Sequence, residues 1–259
     1  MNIVVVVKQV PDTEAAVRPD ASAPWRINES GIKFIVNPYD EFAVEEAIRI
    51  KEAKGGHILV VTVGPPRADE ALRTCVAMGA DDAMRIDDTQ HRELDALSCA
   101  QLLSKAIAQT PFDLILCGKQ AIDDDLGAVG TFIAEFLGLP HVAVVTKLEV
   151  ADGKAICRKE IDGGTQKVEV QFPAVITAQK GLNEPRYPAL RGLMLAKKKE
   201  IKVLTPAMLG VAEEELKPLS RVQNLEAPPA RGKGKILQGE PESTAVELVR
   251  LLREEAKVI

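Results

Sequence analysis

Leu114-Ile115-Leu116-Cys117-Gly118-Lys119-Gln120-Ala121-Ile122-Asp123-Asp124-Asp125-Leu126-Gly127-Ala128-Val129-Gly130 begins as a short apolar run of the kind that forms a buried parallel strand. It breaks at Gly118 and passes through a polar turn into apolar residues at helical spacing between positions 126 and 137. Strand, glycine turn and helix start together make a seat for a phosphate-bearing ligand, because unpaired backbone N–H groups and the positive end of the helix dipole point outward there. Three consecutive carboxylates repel a bare phosphate, so Asp123, Asp124 and Asp125 need another role. They can cap the helix, bind ribose hydroxyls or hold a divalent ion. The alternative is that they serve only the helix and its dipole.

Composition narrows the classes. A chain of 259 residues can bury one large core, or one core plus an extension. Aromatic residues make up 3%, so the core must come from Val, Ile, Leu and Ala, and little material remains for base-stacking platforms. A net charge of −5 also argues against nucleic acid as a partner. Cys75, Cys99, Cys117 and Cys157 form no CxxC pair, which disfavours zinc and iron–sulfur ligation and leaves buried thiols as the default. His57, His91 and His141 are too scattered for a metal site. No run is long enough to span a membrane, and Lys8 ends the apolar N-terminus too early for a signal peptide. The expectation is a cytoplasmic protein with no direct membrane insertion.

Along the chain, residues 3–7 read as a central strand buried on both faces, followed by a loop over 8–18. Residues 25–36 read as two extended pieces joined in a hairpin around Asn28-Glu29-Ser30-Gly31. Asn37-Pro38-Tyr39-Asp40 opens a helix whose acidic residues, Glu45 and Glu46 among them, favour its positive end; Gly55-Gly56 stops it. Strands over 58–63 and 83–86, helices over 71–78 and 94–107, and a fifth strand over 141–145 complete a βαβα alternation. The fold class is therefore α/β: an open, mostly parallel sheet with helices on both faces. Ligands in such sheets sit beyond the C-terminal strand ends at the switch point, where Asn37, Val63-Gly64 and the turn from Gly118 onward are expected to converge.

Beyond residue 145 the pattern alternates over 147–150, 154–161 and 166–172, with Asp152-Gly153 and Asp162-Gly163-Gly164 as turns: an antiparallel ribbon with one wet face. A buried strand over 174–178 precedes a stiff loop, 182–188, and a helical stretch ending in Lys197-Lys198-Lys199. From Ile201 the alternation is lost. Pro228-Pro229 and Gly232-Lys233-Gly234 mark a loose connector, and residues 244–256 form an amphipathic helix that packs on a partner subunit or back on its own domain. The division expected is a nucleotide-binding α/β domain, 1–200, with a partner-recognition loop near 182–195, and an extended arm with a terminal helix, 201–259.

No catalytic set emerges: there is no GxSxG elbow, Walker A loop or GxGxxG. A metal-assisted phosphoryl enzyme also needs a basic clamp, for which Lys119 alone is thin support. The reading is binding without catalysis.

Three stretches in order resemble one family, the electron transfer flavoprotein β subunits. They are Val36-Asn37-Pro38-Tyr39-Asp40 with Ala43-Val44-Glu45-Glu46-Ala47, then Gly118 through Asp125, then Leu182-Asn183-Glu184-Pro185-Arg186-Tyr187 with Ala196-Lys197-Lys198-Lys199. Arg158 through Gly164 and Phe172 through Thr177 also resemble the family's signature. The resemblance spans nearly the whole chain. It implies an adenine-nucleotide α-hydrolase-like fold and a heterodimer with an α subunit that carries most of the redox FAD. It implies a structural AMP in β, and electrons passing from acyl-CoA or related dehydrogenases, as in fatty acid oxidation, to a quinone reductase or other acceptor. Carried onto this chain, the AMP site comprises Val6, Asn37, Pro38, Tyr39, Asp40, Val63, Gly118, Lys119, Gln120, Ala121, Ile122, Asp123, Asp124, Asp125, Leu126, Gly127, Ala128 and Val129. Backbone amides at the helix start would take the phosphate, and the aspartates would cap and order the loop. Leu190 matches the family's anchor leucine, which inserts into a pocket on partner dehydrogenases; the alternative is packing on its own helix.

The chain departs from the family in places. Gly127-Ala128-Val129 stands where many members carry a polar Gln or Thr against the nucleotide, and Thr13 where some have a tyrosine near the flavin. Tyr39 is the residue expected on the flavin side. Flavin-bifurcating members, which hold a second FAD in place of AMP, tend to have glycine in the middle of the acidic triplet; Asp124 here favours AMP. A nucleotide-sensing, universal-stress-like module and an ATP-dependent ligase-type enzyme are the other classes. Neither has a use for the 182–199 segment or the C-terminal arm.

Overall fold

The β-branched N-terminus forms β1 (Asn2–Val6), and its two faces are claimed by two different cores. Ile3 and Val5 pack with Ala43, Val44, Leu72 and Cys75 on one side of the sheet. Val4 and Val6 pack with Leu102, Leu103, Ile133 and Ala134 on the other. A strand buried on both faces needs apolar side chains of both parities, which the uninterrupted Ile-Val-Val-Val run supplies. The computed structural model describes residues 1–88, 90, 93–229 and 234–259; His91, Gly232 and Lys233 lie outside the described residues.

The chain continues through β2 (Gln9–Pro11), β3 (Phe34–Val36), α1 (Pro38–Lys54), β4 (His57–Gly64), α2 (Asp69–Met78), β5 (Asp82–Asp87), α3 (Ala96–Ile107), β6 (Leu114–Gly118) and α4 (Val129–Leu137). Then follow β7 (His141–Ala151), β8 (Lys154–Ile161), β9 (Gly164–Gln171), β10 (Ala174–Ala178), α5 (Leu190–Lys198), β11 (Ile201–Leu204) and α6 (Pro241–Glu254). The main sheet runs β11-β5-β4-β1-β6-β10-β7-β8-β9. Pairing is parallel from β11 to β7 and antiparallel through β8 and β9. β1 lies between β4 and β6, with Val6 opposite both Val61 and Cys117. From β1 the chain first builds outward through β4 and β5, then crosses back over the other face through α3 to β6. That reversal opens a crevice at the C-terminal ends of β1 and β6.

The α/β architecture and the ribbon are as the sequence led us to expect; β7 serves both, its 11 residues starting in the parallel sheet and ending in the ribbon. Three local expectations are corrected. The hairpin around Asn28-Gly31 does not form: β3 pairs with β2, and only an isolated bridge joins Pro19 and Ile27. Ile201–Leu204, where the alternation was expected to end, adds β11 beside β5, and the first compact unit runs from Met1 to Asn224. The helix expected from position 126 starts at Val129.

The second unit, Leu225–Ile259, contains α6, held by Arg250 to Glu247 and Glu254, with Val246, Leu248 and Val249 exposed. No helix among the described residues is long and apolar enough to cross a membrane.

α5 rests on α2, and Gly192 makes the close approach possible: a Cβ there would collide with the Ala77 carbonyl. Gly192→Val should lower stability by about 1–3 kcal/mol through overpacking, read as a lower urea midpoint with unchanged slope.

Candidate functional site

At the crevice, the chain just past β1 and the last residue of β6 are tied together by one carboxyl group. Asp40, in the first turn of α1, accepts the Lys8 N–H at 2.7 Å and the Gly118 N–H at 2.9 Å. Asn37, which immediately precedes α1, makes no side-chain capping hydrogen bond. Its Nδ2 donates to the Gln120 carbonyl at 2.9 Å and its Oδ1 accepts the Ile122 N–H at 3.2 Å, while its own N–H donates to the Lys8 carbonyl at 2.9 Å. The start of α1 therefore fixes both the exit of β1 and the turn after β6. Gly118 is required at this junction: a Cβ would meet the Asp40 carboxylate and lie 2.7 Å from Tyr39.

Burial pushes the Asp40 carboxyl up to about 7; the N–H group of Lys8, the Asn37 side chain, the Gly118 N–H and the Lys8 charge oppose the shift without cancelling it. Cys117, on the floor, and Cys99, on the wall, are also pushed up by burial, Cys99 to about 11, so neither is a thiolate nucleophile at neutral pH.

The acidic turn is folded on itself. Lys8 Nζ donates to Asp123 at 2.8 Å and to Asp124 at 3.0 Å. Asp124 also accepts the Leu126 N–H at 3.1 Å, and Asp125 accepts the Gln120 side-chain amide. Asp125, with a φ of 52°, and Gly127, with a φ of 61°, turn the chain through the left-handed region before α4 begins. The expectation that the aspartates cap this helix is corrected, since they end three residues before its N-cap, Ala128, which makes no side-chain hydrogen bond. The first turn of α4 carries no acidic residue and no capping side chain, and its first residues, Val129 and Gly130, line the crevice. Nor do the carboxylates form a cation site: among the described residues no group of three His, Cys, Asp or Glu side chains could hold a metal ion.

A cavity of about 170 Å³ occupies the crevice. Of the residues singled out from the sequence, it is lined by Val6, Asn37, Asp40, Val63, Gly118, Lys119, Gln120, Ala121, Asp124, Leu126, Gly127, Ala128 and Val129. Pro38, Tyr39, Ile122, Asp123 and Asp125 do not line it. The wall is completed by Val7, Lys8, Leu94, Asp95, Ala96, Cys99, Leu103, Cys117 and Gly130, which sequence reasoning missed. Lys8 carried a signal: it is a cation placed directly after the first strand, on the ligand-facing edge. The start of α3 carried none, because nothing local shows that the crossover from β5 returns to this point. Lys119 stands over the Tyr39 ring, 5.0 Å from its centroid, a cation–π contact that orders both at the rim.

A second surface lies on the 182–195 segment. Asn183 is buried and donates to the Phe42 carbonyl and to Glu46 at 3.0 and 2.9 Å. Arg186 binds Glu45 and Glu52 with both branches of its guanidinium. Burial works against the Glu45 charge, but the hydrogen bonds from Arg186 and Arg49 outweigh it and hold the carboxyl below its usual range. Glu45 and Glu46 are thus anchors for a distant loop, in addition to any role at the positive end of α1. The clamp presents Tyr187 (95% exposed) and Leu190 (77% exposed) to solvent. Leu190 opens α5 and does not pack on its own helix.

The profile of the electron transfer flavoprotein domain matches residues 24–209. The electron transfer flavoprotein subunit beta of Bacillus subtilis is 43% identical over 260 residues, covering 100% of both chains. That of Syntrophomonas wolfei is also 43% identical, over 100% of this chain and 98% of its own length. The human subunit beta is 36% identical over 100% of this chain and 99% of its own. The chain belongs to the electron transfer flavoprotein β-subunit family. Members of this family are electron carriers that work beside an α subunit.

The buried Asp40 carboxyl makes a pH prediction. Its folded value, about 7, lies above its ordinary value of 3.8, so between these limits the folded state holds the extra proton. Its contribution to stability is full below about pH 4 and is lost as the pH rises towards about 7. Asp40→Asn removes this titration. The stability difference, wild type minus variant, should therefore fall as the pH is raised across that window, measured by urea unfolding at fixed protein concentration.

Proposed function

We propose that this β subunit holds AMP in the crevice and shapes the FAD site of its α partner. In this reading the heterodimer passes electrons from acyl-CoA-type dehydrogenases to a quinone reductase or a similar acceptor. The observation that carries the reading is the coincidence, at one switch point, of the uncapped start of α4, the Gly118 turn and the strand ends of β1 and β4. The parts suit an adenylate. Free amides at a helix start match one phosphate, while Val6, Val63 and Leu103 give an apolar wall for a base. A cavity of about 170 Å³ is small for a second FAD and favours a mononucleotide, as does Asp124, which lines it.

The FAD, borne mainly by α, supplies the redox chemistry; this chain's part is to position and to shield. Tyr39, steadied by Lys119, is the residue assigned to the flavin side. Leu190 is assigned to a pocket on the dehydrogenase. Its support is a large apolar side chain left in water on a loop fixed by two buried carboxylates. The second unit, with Val246, Leu248 and Val249 exposed, is assigned to packing on α, and the reducing setting suits four free cysteines.

Purification with the α subunit followed by extraction should give one AMP and one FAD per heterodimer; two flavins and no AMP would support the bifurcating class instead. Leu190→Ala should leave flavin and AMP contents intact while slowing reduction by the dehydrogenase about tenfold or more, with unchanged kinetics contradicting the anchor role.

A further inference from the structure

Lys8 belongs to none of the roles assigned so far, yet its ammonium is the group that meets the acidic turn. Its backbone cannot drift, because the N–H is held by Asp40 and the carbonyl by Asn37. From this fixed origin the side chain runs along the cavity wall to Asp123 and Asp124. Burial pushes the ammonium down, and the charges and hydrogen bonds of Asp123 and then Asp124 more than restore it, so it stays protonated at any neutral pH. The other cation on the wall, Lys119, is engaged with Tyr39.

We propose that Lys8, by neutralising Asp123 and Asp124, admits a negatively charged group to this cavity and so sets its preference for a phosphorylated nucleoside over the bare nucleoside. The inference rests on the adenylate reading above and assigns the residue behind its charge selectivity. The turn carries three carboxylates within a short reach of the helix start where a phosphate is expected. Asp125 is occupied by the Gln120 amide, a neutral donor that removes no charge. Lys8 is therefore the counter-charge seen on the other two. The ion pairs are partly exposed, with side-chain exposures of 43% for Lys8, 29% for Asp123 and 41% for Asp124, so they add little to folding stability. A pair of low structural value on the wall of a ligand cavity has its main effect on the ligand's charge. Without the ammonium, a phosphate at α4 would face two uncompensated carboxylates, and like charges repel.

The test is titration calorimetry of the heterodimer, freed of bound nucleotide by dialysis, with AMP and with adenosine. Wild type is expected to bind AMP more tightly than adenosine. Lys8→Met should weaken AMP by about tenfold or more and leave adenosine unchanged; Lys8→Arg should preserve both. Asp123→Asn, which keeps Lys8, should tighten AMP without affecting adenosine, and this arm stands even if Lys8→Met does not fold. Equal loss of both ligands in Lys8→Met, unchanged AMP affinity there, or unchanged AMP affinity in Asp123→Asn overturns the proposal. Wild type binding neither ligand overturns the adenylate reading itself, an outcome separate from any change between variants.

Discussion

Two backbone N–H groups, one at the end of β1 and one at the end of β6, share a single buried carboxyl from α1. Strand ends in a parallel sheet leave polar groups that must be satisfied, and here Asp40 satisfies those of Lys8 and Gly118 at once. The geometry allows no substitute at Gly118, because the carboxyl and Tyr39 fill the space a side chain would take. Asn37 extends the same tie to the following turn through Gln120 and Ile122. Everything at the crevice inherits its position from this junction: the path of the acidic turn, the entry into α4 and the reach of Lys8. The arrangement carries an electrostatic cost, visible in the Asp40 carboxyl being driven up to about 7 by desolvation. A buried acid kept for its hydrogen bonds is what a site that must not move would require.

The same helix works at both of its faces. Its first turn holds the crevice, and Glu45, Glu46 and Glu52, further along, hold Arg186 and Asn183. The segment that presents Leu190 is thus anchored to the element that builds the crevice. One rigid helix relates the two surfaces on which the proposed function depends, and each rests on polar contacts too distant in sequence to be local.

Much of this could be read from the chain. The β-branched run of β1, the apolar strand before Gly118 and the regular strand–helix spacing specify a parallel sheet, and the switch-point rule then brings Asn37, Val63 and Gly118 together. What escaped was set by non-local pairing. The Asn28-Gly31 turn signal was real as local chemistry, but β3 found its partner across the long loop in β2. β11 has four residues, too few to show a period, and the edge of β5 recruits it. Leu126 has helical spacing with the residues after it, but the left-handed φ of Gly127 delays α4 to Val129. The aspartates looked like a cap because capping residues precede helices; with the start moved to Val129 they fall short, and Lys8 takes them instead.

In the proposed function a nucleotide sits on the turn held by Asn37 and Asp40. The chain offers a competing cavity at the opposite end of the sheet, a groove of about 1010 Å³ bordered by His57, Asp82, Thr110, Lys199 and Met208. Amide hydrogen exchange of the heterodimer, with and without AMP, separates the two. New protection is expected at residues 37–40 and 118–130 and none at 108–111 or 198–208. Protection at the groove, or no change at the turn with AMP bound, would contradict the proposal.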